Sequence, residues 1–417
     1  MKKNNIFFNI SIFFNIILIF FGNYFTNLYY LQIMALIFVI ISYMGTQKNK
    51  SVIEIKKDSF WWLVFVIYSM VLSYFSIDIV NSIRIIILIL LGVLIKIFYE
   101  KSFCINWKKT FVKGMYICSS VYVIFTILQL LMPNFIYNIN TILLKPSELE
   151  LNVLLFNNGA YAGITGQTGL NAFFITIFIV ISFLDMLFKK KNKKIYIILF
   201  LLGLLALILT GKRGMLIFTC ITVFLIYIFL SLNDLKHFYK YILIFIISIG
   251  GIIILLKNIP QTSIIMNKFL FLSRDNDILN GRQELWNKSM QIFDNNKFTG
   301  IGIGTIADII GDYSHNVYIQ IMAEIGIIGI FLYILAVFKS LECSIKKLKK
   351  YNSEIEAKRK KIYYILFSIS MQTIFIFYSC TGNPLYSHIF LMPYLLSIAI
   401  IYNLEEEWDE SRNFDVS

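Results

Sequence analysis

Three groups of polar residues stand out in a strongly apolar sequence because their side chains could act on an anionic substrate. The first is the turn Gly211-Lys212-Arg213-Gly214, which joins two apolar runs. A guanidinium held at the level of lipid headgroups suits a phosphate. Cations at a membrane interface also reach water at low cost, so an inert anchor is the alternative interpretation.

The second group lies in a segment from Asn280 to about Phe293 that predicts a short amphipathic helix, with Asn280 as its N-cap. Arg282 heads the apolar stripe of this helix, so we expect its guanidinium to point towards the membrane domain or a cavity. The alternative is an arginine paired with Asp275 or Asp277. The stripe itself consists of Leu285, Trp286, Met290 and Phe293.

The third group is His315-Asn316, at the start of an apolar helix that continues through Tyr318 and Glu324. An imidazole can accept a proton near neutral pH or bind a phosphate or a sugar hydroxyl. A cap or a packed side chain is the alternative for His315, and we interpret Glu324 as structural. The glycines of 300–304 lack the strand–helix context of a nucleotide loop, and we interpret them as a turn.

Composition places these groups in a membrane protein. The chain is 58% hydrophobic and 15% charged, with a mean hydropathy of +0.74, whereas soluble domains carry about 25% charged residues. The net charge of +14 comes mainly from short lysine clusters between apolar runs. This distribution is typical of cytoplasmic loops and argues against a nucleic-acid partner. The five cysteines show no paired or metal-type spacing, so the sequence predicts neither disulfides nor a metal site.

The apolar runs predict an all-α polytopic membrane protein, a single transmembrane domain over 1–417 with about 12 transmembrane helices. Both termini are expected in the cytoplasm, because lysine-bearing loops alternate with the short outer segments 23–27, 77–82 and 381–387, which contain no Lys or Arg. The helices are expected near 6–22, 28–44, 60–76, 83–99, 114–132, 171–188, 195–210, 215–232, 241–256, 317–338, 362–380 and 388–402.

Two longer outer segments are expected to be loops, 133–170 and 257–316. The larger one, between helices 9 and 10, holds the short amphipathic helix and Arg274, and it is expected to form part of the active site. Long loops in a compact protein are commonly functional.

Together these residues resemble the O-antigen ligase/O-antigen polymerase superfamily of bacterial envelope glycosyltransferases. The resemblance rests on a Gly-x-Arg-Gly turn between two helices, an Arg–Trp helix in a large outer loop, and Gly-x-Gly followed by His-Asn-x-Tyr and Glu-x-Gly. The motifs cover roughly 211–329, and the helix number extends the similarity to the full chain. They are carried by Gly211, Arg213, Gly214, Arg282, Trp286, Gly302, Gly304, His315, Asn316, Tyr318, Glu324 and Gly326.

The resemblance implies a metal-independent enzyme without a cofactor, which transfers a glycan from undecaprenyl pyrophosphate on the outer face of the bacterial inner membrane. Arg213 and Arg282 would stabilise the leaving pyrophosphate, and His315 would orient or deprotonate the acceptor hydroxyl or contact the pyrophosphate. The predicted substrate-binding residues are Lys212, Trp286, Asn316, Tyr318 and Arg274. Lys212 departs from the family, which often has a small residue before the arginine.

Several functions remain open at this point. A polymerase, which joins lipid-linked repeat units of O-antigen or capsule, is preferred because the 133–170 segment shows no folded accessory domain. A ligase would instead transfer the glycan to a lipopolysaccharide core. A lipid-linked glycan flippase is the rival from another class, although the sequence shows no internal repeat. A chain-length regulator and a flippase are possible partners.

Overall fold

The apolar runs form helices, because a helix satisfies its own backbone hydrogen bonds, as lipid requires. A computed structural model describes residues 6–24, 28–46, 55–101, 107–189, 191–231, 281–352 and 359–414, and the single positions 243 and 250. These described residues are mostly helical and include no strand. The helices are α1 (Ile6–Phe21), α2 (Leu28–Thr46), α3 (Lys57–Leu72), α4 (Ile79–Glu100), α5 (Trp107–Leu131), α6 (Pro133–Leu143), α7 (Pro146–Asn157), α8 (Thr168–Phe188), α9 (Lys193–Leu209), α10 (Arg213–Ser231), α11 (Arg282–Asn295), α12 (Ile306–Ile310), α13 (Val317–Asn352), α14 (Arg359–Tyr378) and α15 (His388–Phe414).

Eight helices of the described chain are long and apolar enough to cross a membrane, and Tyr30–Met44 and His388–Leu404 are shorter apolar helices. Helices occupy the predicted positions apart from the ninth, 241–256, which falls outside the described residues except for two isolated positions. The prediction of an all-helical membrane protein is thus confirmed. The number of twelve spans and their orientation stay predictions.

The 133–170 segment is more ordered than the predicted loop, because it contains α6 and α7. Each of these helices begins with a proline, Pro133 and Pro146 respectively. Proline is favoured at the first helical position, where its missing N–H has no intrahelical partner to lose. Pro133 and Pro146 therefore mark two helix starts within the segment that was predicted to be a loop.

The chain divides into two compact units. The first unit comprises Met1–Phe111, Gly281–Lys350 and Met371–Ser417, and the second comprises Val112–Asn280 and Tyr351–Ser370. Both units combine segments that are distant in sequence, and each contains part of the predicted site.

The core of the first unit is built from aromatic side chains of α3, α13, α14 and α15. The ring of Trp62 meets those of Tyr333 and Tyr394 at centroid distances of 6.0 and 6.1 Å, edge-on. Phe375 stacks on Tyr394 at 4.2 Å. All four side chains are buried, and such pairs contribute about 0.5–1.5 kcal/mol beyond their buried area.

An ion cluster lies buried between α3 and α4, and the sequence analysis did not foresee it. Lys96 Nζ lies 2.7 Å from Asp58 Oδ2 and also pairs with Glu100, one turn further along α4. The hydroxyl of Ser59 accepts a third hydrogen bond from the same ammonium, at 2.5 Å. Because each member is buried, removing the Lys96 ammonium would leave the carboxyl groups of Asp58 and Glu100 without their cation, at a cost of about 3–5 kcal/mol.

The core of the second unit is α8, which is buried along almost its whole length. Helix α9 approaches it closely at Gly203, where an added Cβ would lie 2.7 Å from Ile179 Cγ1. A glycine at this position therefore allows two apolar helices to pack at short range.

Helix α13 breaks at Gly326, and the break is filled by the loop that follows α11. Gly326 has φ 70° and ψ −171°, outside the helical region. Next to it, the Gly302 N–H donates to the Glu324 carbonyl at 2.8 Å and the Ile327 N–H donates to the Lys297 carbonyl at 2.9 Å. The backbone groups released by the break thus find partners in the loop, as burial in a membrane protein requires.

The glycines of this loop provide clearance. An added Cβ at Gly300 would lie 2.2 Å from the Glu324 backbone, and one at Gly326 would lie 2.4 Å from the Phe298 carbonyl oxygen. The turn predicted at 300–304 is therefore a close backbone-to-backbone contact between the loop and the broken helix.

We expect Gly326→Ala to lower the free energy of unfolding by more than about 2 kcal/mol, because the conformation is accessible essentially only to glycine and the Cβ would clash. Gly311→Ala is the matched control, since Gly311 also has positive φ (83°) but no neighbour within 4 Å of an added Cβ. The control should lose only about 1 kcal/mol. Thermal unfolding of the purified protein in detergent measures both, and equal losses would show that the close contact contributes nothing.

Candidate active site

In the first unit, α11 is fastened to the segment that precedes His315. Trp286 Nε1 donates to the Ser314 carbonyl oxygen at 2.8 Å. The hydroxyls of Ser289 and Ser314 lie 2.9 Å apart, and both serines are fully buried. The two serines were not among the predicted site residues, and neither was part of the predicted apolar stripe.

His315 occupies the turn at the start of α13. Its backbone has φ 50°, in the left-handed region, where histidine is enriched among non-glycine residues and where strain often marks a functional site. Its Nε2 lies 3.7 Å from Asp312 Oδ2, and the side chain is 39% exposed. Asn316, rather than His315, caps the helix, because its Oδ1 accepts from the Tyr318 and Ile319 N–H groups at 3.0 and 3.3 Å. The imidazole is thus placed where a solvent-borne group can reach it.

The start of α13 is also tied to the end of α14. The Val317 N–H donates to the Ser379 carbonyl at 2.8 Å, and the Tyr318 hydroxyl donates to the Ile376 carbonyl at 3.1 Å. The C-terminal end of α14 therefore holds the His315 turn in place.

Arg282 is the first residue of α11 and is partly exposed. The N-cap position belongs to Gly281, with φ 77°, and not to Asn280 as predicted; a glycine fits because this residue adopts a left-handed conformation. Asn280 and the alternative partners Asp275 and Asp277 lie outside the described residues.

Glu324 is fully buried, two residues before the break in α13 at Gly326. Its Oε1 accepts from Gln320 Nε2 at 2.9 Å and from the Ile306 N–H at 3.3 Å. Its Oε2 accepts from the Tyr386 hydroxyl at 2.5 Å. The side chain therefore connects α12, α13 and the turn before α15.

Burial and the nearby Glu324 carboxylate raise the pKa of the Tyr386 hydroxyl well above its ordinary value. Burial likewise raises the pKa of Tyr313, and Glu324 adds to the effect. Both phenols therefore stay protonated at neutral pH, so Tyr386 remains a hydrogen-bond donor to the carboxylate.

In the second unit, the predicted turn at 211–214 is shorter than expected because α10 already begins at Arg213. Gly211 has φ 69°, and the Lys212 N–H donates to Thr210 Oγ1 at 3.3 Å. The Tyr161 N–H donates to the Leu209 carbonyl at 2.9 Å, which joins the end of α9 to the segment after α7. Lys212 is exposed and Arg213 partly so, which leaves two cationic side chains beside a helix N-terminus.

Gly163 forms the centre of a buried amide network in the second unit. Its carbonyl accepts from Asn140 Nδ2 at 3.1 Å and Asn152 Nδ2 at 3.3 Å, and its N–H donates to Gln129 Oε1 at 2.8 Å. Asn152 Nδ2 also reaches the Thr165 carbonyl at 2.7 Å. The sequence analysis missed these residues, although carboxamides recurring within apolar helices were a visible signal.

The predicted site residues fall into three sets. The first unit brings Arg282, Trp286, His315, Asn316 and Tyr318 to the region of α11 and the start of α13, whereas Lys212 and Arg213 lie in the second unit. Arg274 is outside the described residues. Within the described ranges, no group of three or more His, Cys, Asp or Glu side chains has the arrangement of a metal site.

Comparison with known families shows what the part of the chain that carries these residues is similar to. Residues 197–334 match an O-antigen ligase domain. The match confirms the resemblance to the O-antigen ligase/polymerase superfamily, and it spans Arg213, Arg282, His315 and Glu324. No curated protein shows significant similarity to the chain. Together with the apolar helices, the O-antigen ligase domain indicates a multi-pass membrane protein.

The buried carboxylate of this domain gives a test of how the site is held together. We expect Glu324→Leu to lower the free energy of unfolding by about 3 kcal/mol or more, because it leaves several buried donors unpaired at about 1–3 kcal/mol each. Glu324→Gln should lose less, because its amide oxygen still accepts one bond. Glu342→Gln is the control on the same helix: Glu342 is 42% exposed and pairs with surface lysines. Thermal unfolding of the purified variants measures the losses. If Glu324→Leu were as stable as Glu342→Gln, the buried hydrogen bonds of Glu324 would not stabilise the site.

Proposed function

We propose that the protein polymerises the repeat units of a surface polysaccharide, an O-antigen or a capsule. It would transfer a glycan from undecaprenyl pyrophosphate to an acceptor sugar hydroxyl, on the outer face of the bacterial inner membrane. The observation that carries this proposal is the O-antigen ligase match, within which the cationic turn, the Arg–Trp helix and the His-Asn start of a helix follow one another in order. The bilayer and lipid-linked glycans are the partners required, and no nucleic acid is involved.

The proposed reaction forms one C–O bond and breaks another. The acceptor hydroxyl oxygen attacks the anomeric carbon, and the bond from that carbon to the pyrophosphate oxygen breaks, so that the electron pair leaves with the pyrophosphate. Arg213 and Arg282 would stabilise the charge that grows there, without a metal ion. The His315 imidazole would take the acceptor proton, and Asp312, 3.7 Å from Nε2, would stabilise the imidazolium.

The contacts revise the roles proposed for the neighbouring residues. The indole N–H of Trp286, the amide oxygen of Asn316 and the hydroxyl of Tyr318 already make hydrogen bonds within the protein. We therefore assign these three residues to positioning His315, although their remaining surfaces can still meet substrate. Lys212 and Arg274 remain proposed contacts of the donor headgroup.

The polymerase is preferred over the ligase because the 133–170 segment forms two short helices and no larger accessory domain. An O-antigen ligase, which transfers the glycan to a lipopolysaccharide core, is the second candidate, and the family description favours it. A flippase is the rival of another class. A chain-length regulator and a flippase are the proposed protein partners of a polymerase.

Arg213→Ala, Arg282→Ala and His315→Ala should each lower transfer by about 100-fold or more, because each removes a group that acts on the reacting atoms. The measurement is envelope glycan analysis of a strain that lacks the gene and is complemented with each variant at checked expression. Arg84→Ala, an exposed arginine of α4 outside the site, should restore the wild-type pattern.

The glycan pattern also separates the candidate functions. If the protein is a polymerase, the null strain should keep single repeat units on the final acceptor but lose long chains. Long chains stranded on the lipid carrier would identify a ligase. If all three variants restored the normal pattern, the proposed site would be wrong and transport would be tested next.

Metal independence has its own test. Purified enzyme treated with EDTA should transfer glycan at an unchanged rate, because the arginines supply the positive charge that a divalent cation would otherwise provide. Activity lost with EDTA and restored by added Mg²⁺ or Mn²⁺ would refute the arginine-only mechanism.

A further inference from the structure

A groove of about 450 Å³ lies between α6 and α7 in the second unit. It combines one aromatic ring, one carboxylate and two carboxamides with aliphatic side chains. Its lining consists of Tyr137, Leu149, Glu150, Val153, Leu154, Asn157 and Asn158. The volume falls within the range of about 300–1,000 Å³ typical of small-molecule sites.

The groove is preorganised by the buried amide network. Each groove helix contributes one buried asparagine, Asn140 from α6 and Asn152 from α7. Both side chains donate hydrogen bonds to the Gly163 carbonyl. A rigid two-helix platform loses little freedom when it binds a ligand, which favours affinity.

The lining chemistry selects the ligand class. The single charged side chain of the lining is the carboxylate of Glu150, which repels a phosphate or an anionic lipid headgroup. A sugar presents C–H faces that pack on the Tyr137 ring and hydroxyls that hydrogen-bond to carboxylate and carboxamide groups. An uncharged or amino-substituted glycan therefore matches the groove in both charge and polarity.

The chain that leaves the groove leads to the cationic turn of the same unit. Asn157 and Asn158 at its end lead directly into the segment whose Tyr161 N–H bonds to the Leu209 carbonyl. An added Cβ on Gly211 would lie 3.5 Å from Ala160 Cβ, in ordinary contact. The last lining residue, Asn158, is thus two positions before Ala160, which lies beside Gly211 of the turn that carries Arg213.

We propose that the α6–α7 groove is a glycan-binding subsite that holds the saccharide chain next to the Arg213 turn. Its identification with a substrate of the enzyme rests on the proposed function. The ring of Tyr137 supplies the stacking surface, and Glu150 supplies the principal hydrogen-bond acceptor. Both side chains are exposed, so they can be changed without disturbing the core.

The test is direct binding to the full-length protein in lipid nanodiscs. The probe is an oligosaccharide prepared by partial hydrolysis of the host's own surface polysaccharide, without lipid or pyrophosphate, followed by ligand-observed NMR titration. Tyr137→Ala and Glu150→Gln should each weaken binding about tenfold, equivalent to roughly 1.4 kcal/mol. Tyr74→Ala (81% exposed, outside the groove) and Glu148→Gln (on α7 but outside the lining) are the matched controls and should bind as the wild type does.

The outcomes separate the subsite from the overall function. No detectable binding by the wild type, or equal affinity in the wild type and the groove variants, would overturn the proposed subsite. The proposed function would still stand if glycan transfer were measured in the null strain complemented with the wild-type gene. Binding that depends on Tyr137 and Glu150, in a protein that transfers no glycan, would support the subsite and reject the proposed function.

Discussion

The break in α13 at Gly326 is the constraint on which the geometry of the first unit's site depends. A helix interrupted in a membrane protein must find other partners for its released backbone groups. Here the loop after α11 supplies them, through the bonds of Gly302 and Lys297 to the two sides of the break. The loop is thereby held, and with it the relation between α11 and the His315 turn. The Glu324 side chain reinforces the same junction, since it binds α12 and Tyr386.

The second unit also contains buried backbone groups that need hydrogen-bond partners, and side-chain amides supply them. Gly163 would leave a buried carbonyl and N–H unpaired if Gln129, Asn140 and Asn152 did not meet them. An apolar contact would tolerate sliding, whereas a hydrogen-bond network fixes one arrangement, because each misplaced buried partner costs about 1–3 kcal/mol. The result is a fixed pair of short helices beside the cationic turn. Both units thus use buried polar groups to give precise positions to elements that apolar packing alone would hold loosely.

Much of the fold could be predicted because its signal is local. Each spanning helix is an apolar run of sufficient length, and α11 was predicted from the spacing of Trp286 and its neighbours. The helices α6 and α7 were missed, because the whole 133–170 segment was predicted to be a loop. The buried pairing of Lys96 with Asp58 was missed as well, because it joins two helices. Of the site, the motifs identified Arg213, Arg282 and His315, but the serines that fasten α11 to the His315 turn gave no sequence signal.

The sequence by itself determined the class of protein, most of the helix positions and the residue types that could act on a charged substrate. These follow from composition and short-range spacing, because hydrophobicity and helical periodicity act over a few turns. Only the tertiary structure decided that the glycines of 300–304 serve the Gly326 break, that Asn316 and not His315 caps α13, and that α6 and α7 frame a groove. Each of these depends on contacts between segments distant in the chain, where a hydrogen bond or a clash is set by three-dimensional position and leaves no pattern along the sequence.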